Sequence, residues 1–200
     1  MCKVVIFDLG GVLIDWNPRY LYRKLFEDEV AMEHFLATVC TLGWNALQDA
    51  GRPVAEATRS LIRKWPDHAE LIEAYYARWP EMLGGPIEDT VAVADDLHTR
   101  GVPLFALTNW SAETFPYVEH RYEFMEWFEH ILVSGRVGLK KPDLAIFRLL
   151  LGRCRIDARE AVFIDDSESN VAAAASIGLH AIRFTSATAL RGDLETLGVL

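Results

Sequence analysis

One carboxylate near the amino terminus stands where it could act as a nucleophile. Asp8 closes the apolar segment Val4–Phe7 and is followed by Leu9 and the pair Gly10-Gly11. A glycine turn after a strand can direct backbone N–H groups at an anion, and a carboxylate beside it can attack a phosphate ester. The same residues are also typical of an ordinary turn, so this motif by itself leaves both interpretations open.

Hydrogen-bond donors follow two later apolar segments. Thr108 and Asn109 end one of them, and Lys140-Lys141 precede Pro142 after the next. A hydroxyl and an amide can donate to phosphoryl oxygens, while an ammonium neutralises charge on a nucleophile and a phosphate. Thr108 and Asn109 could equally cap a helix, and the two lysines could be a solvated pair.

An acidic pair closes a further apolar segment. Asp165 and Asp166 come directly after the apolar residues 162–164. Asn170 follows four residues after Asp166. Adjacent carboxylates repel each other, so a hard cation explains the pair better than chance proximity does. One or both carboxylates could instead cap the helix that is predicted to begin near Ser169.

The elements that would position these groups alternate along the chain. Strands are predicted over residues 3–9, 103–108, 130–134, 161–164 and 180–184, and helices over residues 91–100, 112–122, 142–154 and 169–177. This alternation predicts an α/β fold with an open, Rossmann-like parallel sheet and helices on both faces. Each polar group then lies at the carboxyl end of a strand, the edge at which such folds bind ligands.

A long insertion separates the first two predicted strands. Residues 16–83 look mainly helical and end at a predicted Gly84-Gly85-Pro86 turn. An insertion at this point projects over the carboxyl ends of the strands. We therefore expect an α/β core domain made of residues 1–15 and 84–200, with a small, all-helical cap domain made of residues 16–83.

Several side chains could line a ligand pocket between these parts. Trp110, directly after Asn109, is placed to line the entrance. Further aromatic and hydrogen-bonding candidates are Trp16, Asn17, Trp44, Asn45, Gln48 and Asp49. Such a group suits a sugar-like ligand, and it equally suits an ordinary helix end before a turn. The aromatic residues predicted to pack inside the cap instead are Tyr75, Tyr76 and Trp79.

Composition narrows the class of protein and its partners. The chain has 200 residues, of which 51% are hydrophobic, so it can bury a core, and its formal net charge of -9 disfavours nucleic acid and anionic membranes. Cys2, Cys40 and Cys154 lie far apart without C-x-x-C spacing, which indicates neither a disulfide framework nor a zinc site and fits the reducing cytoplasm. The short apolar start predicts neither a signal peptide nor a membrane span.

Taken as a set, the strand ends follow the order acid, hydroxyl, lysine, acid pair. This order resembles the haloacid dehalogenase-like (HAD) hydrolase superfamily, as do the segments Phe-Asp-Leu-Gly-Gly-Val, Leu-Thr-Asn, Lys-Lys-Pro-Asp-x-Ala-Ile-Phe and Phe-Ile-Asp-Asp-x-x-x-Asn. The inserted helices resemble the cap of the subgroup that contains haloacid dehalogenases, sugar-phosphate phosphatases and phosphoglucomutases. The chain is most similar to sugar-phosphatase-like members with glycine two residues after the nucleophile.

The resemblance implies a role for each strand-end residue. Asp8 would be the nucleophile that forms an aspartyl-phosphate, and Lys141, which directly precedes the proline, would steady the phosphoryl group. The cofactor implied is Mg²⁺, and its ligands would be Asp8, the Gly10 carbonyl, Asp165 and, directly or through water, Asp166. Thr108 and the Asn109 backbone would bind the phosphoryl group of a small phosphorylated metabolite. Gly10 and, from its place at the strand end, Trp110 are further candidates for contact with this substrate.

Position 10 departs from the family's pattern. The family's phosphatases usually have an aspartate there, which protonates the leaving alkoxide and then activates water, whereas this chain has Gly10. One interpretation is a phosphatase whose proton donor comes from the cap, a bound water or the substrate, or whose leaving group needs little help, as in an anomeric sugar phosphate. A second is a 2-haloacid dehalogenase, in which Asp8 displaces halide without a metal. A third is a non-catalytic regulatory or binding protein on the same fold.

The strand-end residues favour the first of these interpretations. The metal-free dehalogenases of the family generally lack an acidic pair such as Asp165-Asp166. A protein that had lost catalysis would rarely keep Asp8, Thr108, Lys141 and Asp165 together. The sequence therefore predicts a Mg²⁺-dependent phosphatase that acts on a small phosphomonoester, with sugar phosphates among the candidates.

Overall fold

A parallel sheet forms the centre of the computed structural model, which describes residues 2–200. The strands are β1 (Val4–Phe7), β2 (Ile14–Trp16), β3 (Leu83–Pro86), β4 (Leu104–Thr108), β5 (Phe128–Val133), β6 (Ala161–Asp165) and β7 (His180–Arg183). Five of the strands described form one sheet in the order β5-β4-β1-β6-β7, and all neighbours run parallel. The predicted core strands are thus confirmed, with ends that differ by a residue or two.

The helices fill the connections between these strands. They are α1 (Arg19–Tyr22), α2 (Glu29–Thr38), α3 (Leu42–Asp49), α4 (Val54–Lys64), α5 (Ala69–Ala77), α6 (Glu88–Thr99), α7 (Pro116–Glu119), α8 (Ser134–Val137), α9 (Leu144–Cys154), α10 (Glu168–Ser176) and α11 (Ala187–Thr196). Short 3₁₀ helices cover Pro66–His68, Trp79–Met82, Glu123–Trp127 and Ala158–Glu160. Over residues 2–200, none of the helices has the length and apolar character needed to cross a bilayer.

Apolar clusters cover both faces of the sheet. Along β1, Val5 and Phe7 belong to one cluster and Ile6 to the other, because successive side chains of a strand point to opposite faces. Helices α6 and α11 contribute Leu97 and Leu190 to the first cluster. Helices α9 and α10 contribute to the second, so the predicted arrangement of helices on both faces is confirmed.

An antiparallel ribbon flanks the helical insertion, and the sequence did not predict it. β2 pairs with β3, with Ile14 opposite Pro86 and Asp15 opposite Gly85. The predicted turn at Gly84-Gly85-Pro86 is therefore wrong: this segment lies in β3 because β2 supplies its hydrogen-bond partners. Gly84 permits the close approach, since a Cβ there would collide with the Asp15 carboxylate. The proposed domain boundaries, beside Trp16 and Leu83, stay a prediction.

The helix predicted over residues 112–122 is also wrong. Only α7 forms there, and a 3₁₀ helix follows it. Pro116 lacks the N–H that a continuous helix would need at that position. Beyond α7, Tyr122 is extended, and the 3₁₀ helix buries Phe124 and Met125 in the core.

Candidate active site

A cavity of about 310 Å³ lies at the carboxyl ends of β1, β4 and β6. Its lining from the core side consists of Asp8, Gly10, Gly11, Asn109, Trp110 and Asp166. Its lining from β2 and the insertion consists of Trp16, Asn45, Asp49 and Trp79. Of the predicted strand-end groups, Asp8, Asn109 and Asp166 therefore share one pocket with residues of the insertion.

A buried lysine joins the ends of three strands. The Lys141 ammonium Nζ lies 2.9 Å from Asp8 Oδ2 and 2.6 Å from Asp165 Oδ2. It also donates a hydrogen bond of 2.7 Å to the Leu107 carbonyl. Its three protons thus have three acceptors, which fixes the ammonium against the predicted nucleophile. Lys140, the alternative lysine, makes none of these contacts.

Backbone and amide donors hold the two carboxylates. The backbone N–H of Leu9 donates to Asp8 Oδ1 at 2.7 Å. Asp165 Oδ1 accepts from the Ser167 N–H and from Asn170 Nδ2, both at 2.9 Å. Asn170 also reaches Asp165 Oδ2 at 3.1 Å, so this amide orients the carboxylate that contacts the lysine.

Asn109 connects the end of β4 to the lysine loop. Its Oδ1 accepts from the Lys141 N–H at 2.8 Å, and its Nδ2 donates to the Lys141 carbonyl at 3.0 Å. The next residue, Trp110, donates its N–H to Ser134 Oγ at 2.9 Å. These bonds lock the β4 end and place the Trp110 side chain in the cavity wall.

Thr108 presents a hydroxyl without a partner. Its side chain is buried, and within residues 2–200 its Oγ1 has no hydrogen-bond partner. Buried hydroxyls are normally paired, so an orphan beside a cavity points to a bond made with a ligand. Thr108 does not itself line the open cavity, whereas the next residue, Asn109, does.

The site carries excess negative charge. Carboxylate oxygens of Asp8, Asp165 and Asp166 lie within 4.8 Å of one another, and they face the single ammonium of Lys141. Burial raises the pKa of Asp8 to about 7, which Lys141 opposes and Asp165 reinforces. Burial and then Asp165 also raise the pKa of Asp166. Burial by itself would lower the pKa of Lys141, but Asp8 and Asp165 outweigh it and hold that pKa above its ordinary value.

The two glycines after the nucleophile have different constraints. Gly11 has a φ of +76°, and a Cβ there would lie 2.8 Å from Asp166 Oδ2, so a side chain is excluded. At Gly10 the nearest atom to an added Cβ is Trp110 Cζ3 at 3.8 Å. The structure therefore requires glycine at position 11 and leaves room for a side chain at position 10.

The insertion supplies wall residues that the sequence only partly indicated. Asn45 and Asp49 line the cavity, but Trp44 packs on Tyr75 with ring centroids 5.1 Å apart. Of the other candidates, Gln48 is buried with its Nε2 on the Tyr76 hydroxyl at 2.8 Å. Trp79, predicted to pack inside the cap, lines the cavity as well. The four-residue spacing of Asn45 and Asp49 on α3 was the available signal, since it places both on one face.

These features belong to a hydrolase of the α/β type with an aspartate at the end of its first strand. Residues 2–178 match the sequence model of a hydrolase family described as haloacid dehalogenase-like hydrolase. The chain belongs to this family of HAD-like hydrolases.

Individual relatives are similar over most of their length. The sesquiterpene phosphatase astK of Aspergillus oryzae is 25% identical over 195 residues, covering 98% of this chain and 96% of that protein. The phosphoglycolate phosphatase of Yersinia pestis is 29% identical over 191 residues, covering 90% and 80%. A mutant HAD family enzyme of Bacteroides thetaiotaomicron, in complex with magnesium and inorganic phosphate, matches with a TM-score of 0.70 at 22% identity, covering 92% of this chain and 95% of that one. This last likeness shows a shared fold.

Proposed function

We propose that this hydrolase is a Mg²⁺-dependent phosphatase, which cleaves a small phosphomonoester through an aspartyl-phosphate on Asp8. The observation that carries the proposal is the Lys141 ammonium held between Asp165 and Asp8, the latter a residue of the cavity wall. Such an arrangement keeps a carboxylate oriented for attack and supplies positive charge where phosphate charge arrives. The phosphatases among the relatives support the same reaction.

The donor set at the site fits Mg²⁺. Three carboxylates face one ammonium, so two negative charges are left over when all are ionised. The residues that would hold the ion are Asp8, the Gly10 carbonyl, Asp165 and Asp166, all of them through oxygen, which Mg²⁺ prefers. When bound, the ion neutralises these carboxylates and lets an anionic phosphate approach Asp8.

The chain's own residues account for the covalent step. One Asp8 oxygen attacks phosphorus, and the bond from phosphorus to the leaving oxygen breaks. The orphan Thr108 hydroxyl and the Asn109 backbone N–H donate to the phosphoryl oxygens, while Lys141 offsets the charge that develops. Water then attacks phosphorus, which releases inorganic phosphate and restores the Asp8 carboxylate.

The cavity wall supports a small, oxygen-rich organic group, such as a sugar. The Trp16 and Trp79 rings stack at 5.4 Å, and Trp79 meets Trp110 edge-on at 6.5 Å. Within residues 2–200, the indole N–H groups of all three are buried without a partner. Aromatic faces combined with free donors suit a hydroxylated ligand, and a cavity of about 310 Å³ limits its size.

The cap division and the cellular location are part of this proposal. Residues 16–83 would form the cap over a core of residues 1–15 and 84–200, because Asn45, Asp49 and Trp79 reach the cavity that holds Asp8. The protein would act in the cytoplasm on small phosphorylated metabolites, without nucleic acid or membrane partners. The net charge of -9 supports the latter, and free cysteines suit a reducing compartment.

A substrate panel tests the proposal. We expect phosphate release that requires Mg²⁺, disappears with EDTA and is abolished in Asp8→Asn. The panel should contain sugar 1-phosphates, sugar 6-phosphates, phosphoglycolate, prenyl phosphates and p-nitrophenyl phosphate. The exposed Asp95 on α6 provides a matched control, since Asp95→Asn changes the same charge outside the site. Undiminished turnover by Asp8→Asn would refute the nucleophile.

An assay of chloride release distinguishes the phosphatase from the dehalogenase alternative. Attack of Asp8 on an uncharged carbon needs no cation, and the cluster of Asp8 with Asp165 and Asp166 favours one. We therefore expect no chloride release from 2-chloropropionate, with or without EDTA. Chloride release that persists without metal would favour the dehalogenase.

A further inference from the structure

One acidic group in the cavity is left without a role by the mechanism above. Among the residues described, 2–200, the carboxyl groups that line the cavity are Asp8, Asp49 and Asp166. Asp8 and Asp166 belong to the cluster proposed to hold Mg²⁺. Asp49 ends helix α3 of the insertion and lines the same cavity.

Hydrogen bonds fix the Asp49 carboxyl in place. The Asn45 amide Nδ2 donates to Asp49 Oδ2 at 3.3 Å, and the Ser111 backbone N–H also donates to this carboxyl. Asn45 Oδ1 in turn accepts from the Tyr76 hydroxyl at 2.9 Å, and that hydroxyl accepts from Gln48 Nε2 at 2.8 Å. The group is thus held between α3 and the loop after β4, with no cation in direct contact.

We propose that Asp49 donates the proton to the leaving oxygen and then takes a proton from the attacking water, replacing the aspartate that position 10 lacks. This inference rests on the phosphatase proposed above. Asp49 lines the same cavity as Asp8 and Gly10, so a substrate attacked by Asp8 shares this volume with Asp49.

The electrostatic surroundings suit a group that both gives and takes a proton. Burial raises the pKa of Asp49 to about 7, which the Lys140 ammonium and the Ser111 N–H oppose. The phenols of Tyr75 and Tyr76 face it from α5, and burial raises the pKa of both. Asp8 and Asp166 line the same cavity. Near neutral pH both protonation states of Asp49 are populated, as a general acid and base requires.

The protons balance over one turnover. Asp8 forms its bond to phosphorus while the bond to the leaving oxygen breaks, and that oxygen receives the Asp49 proton and departs as an alcohol. In the second step water attacks phosphorus, its proton passes to the Asp49 carboxylate, and the bond from phosphorus to Asp8 breaks. Inorganic phosphate leaves, and both carboxyl groups return to their starting states.

Asp49→Asn removes the proton and keeps the shape. For an alkyl phosphate we expect kcat to fall by roughly 10²-fold to 10⁴-fold, the usual contribution of a general acid and base. p-Nitrophenyl phosphate has a leaving group that departs without a proton, so Asp8 is still phosphorylated. We expect a burst of one p-nitrophenolate per enzyme followed by slow turnover, because the aspartyl-phosphate has lost its base.

Position 10 offers a rescue variant. An added Cβ at Gly10 meets no atom closer than Trp110 Cζ3 at 3.8 Å, so Gly10→Asp can place a carboxyl in the cavity. We expect the double variant Gly10→Asp/Asp49→Asn to regain most of the lost kcat on alkyl phosphates. Asp67→Asn, at an exposed position of the insertion outside the cavity, is the matched control and keeps wild-type rates.

A pH profile of the wild type tests the inference without any variant. We expect kcat/KM to fall as pH rises through about 7, because Asp49 loses the proton that the leaving oxygen needs. The ascending limb at lower pH belongs to the substrate phosphate, which must lose a proton. Asp49→Asn should lack the descending limb.

Three results would overturn the role of Asp49. The first is wild-type kcat on alkyl phosphates in a folded Asp49→Asn, and the second is an equal loss on both kinds of ester without a burst. If the wild type showed no Mg²⁺-dependent turnover of any ester, the proposed phosphatase activity itself would be refuted. The Asp8→Asn variant tests that activity separately. A descending limb that persists in Asp49→Asn would likewise assign the proton to another group.

Discussion

Thr108 shows how a single residue can favour function over stability. Its buried hydroxyl has no partner within residues 2–200, and an unpaired buried hydroxyl costs about 1–3 kcal/mol. We expect Thr108→Val to raise the free energy of unfolding by about 1 kcal/mol and to lower kcat roughly 10²-fold, because a donor to the phosphoryl group is lost. Urea denaturation and phosphatase assays measure the two effects.

Thr90 provides the control for this prediction. It is a buried threonine of α6, outside the cavity, whose Oγ1 likewise has no partner within the described residues. Thr90→Val should stabilise the protein and leave turnover unchanged. A loss of stability in Thr108→Val, with a gain in Thr90→Val, would mean that the Thr108 hydroxyl is satisfied in the free protein.

Lys141, unlike Thr108, supports both the stability of the fold and the proposed chemistry. Its ammonium separates the buried carboxylates of Asp8 and Asp165. We expect Lys141→Ala, in EDTA at neutral pH, to lower the free energy of unfolding by about 3–5 kcal/mol, because buried charges lose their partner. Mg²⁺ should recover part of this loss by neutralising the same carboxylates. Denaturation curves with and without Mg²⁺ measure this effect. An equal increase in the free energy of unfolding of wild type and variant on addition of Mg²⁺ would contradict the prediction.

At the scale of elements, the sequence pattern located those strands whose own residues determine their structure. The runs that form β1, β4 and β6 are almost wholly buried and apolar up to the polar residue at their end, so each of these strands could be located from its own residues. β3 could not, because Gly84-Gly85-Pro86 carries no strand pattern and pairs with a strand distant in the chain. The 112–122 helix failed for a local reason, since Pro116 interrupts it.

The ends of β4 and β5 depend on a close approach between Gly135 and the backbone after β4, which gives a further prediction. A Cβ at Gly135 of α8 would lie 2.5 Å from the Ala112 nitrogen and 2.8 Å from the Trp110 carbonyl oxygen, both backbone atoms. We expect Gly135→Ala to destabilise the protein by about 1–3 kcal/mol and to lower activity, since the loop carrying Trp110 must move.

A second glycine on a helix gives the matched control. Gly152, exposed on α9, has no atom within 4 Å of an added Cβ. Gly152→Ala should therefore stabilise the protein by roughly 0.5–1 kcal/mol, as expected for a glycine inside a helix. Thermal denaturation of both variants measures the contrast, and equal effects would contradict the close approach at Gly135.

At the scale of the whole molecule, the candidate site forms where the insertion meets the core. Asp49 of α3 accepts from the Ser111 N–H, and Glu113 Oε1 accepts from the Val54 N–H at the start of α4 at 2.7 Å. Sequence motifs located Asp8, Thr108, Lys141 and the acidic pair because each follows its own strand. They could not single out Asp49, because its place in the cavity depends on contacts between distant parts of the chain.

This placement of Asp49 also predicts how stability changes with pH. Burial raises the pKa of Asp49 to about 7 in the folded protein, whereas an aspartate in the unfolded chain titrates near pH 4. Between these values the folded chain keeps a proton that the unfolded chain has released, so Asp49 makes stability fall as pH rises through this window. The contribution is fully present below about pH 4 and is lost above about pH 7.

Asp49→Asn removes this titration, so the free energy of unfolding of the variant minus that of the wild type should increase from about pH 4 to about pH 7 and then level off. Asp67→Asn is the control, because it measures how the same substitution at an exposed position changes the free energy of unfolding. Urea denaturation in EDTA at a series of pH values measures the difference without any substrate. A difference that stays constant across the window would show that Asp49 is ionised throughout and cannot hold the proton assigned to it.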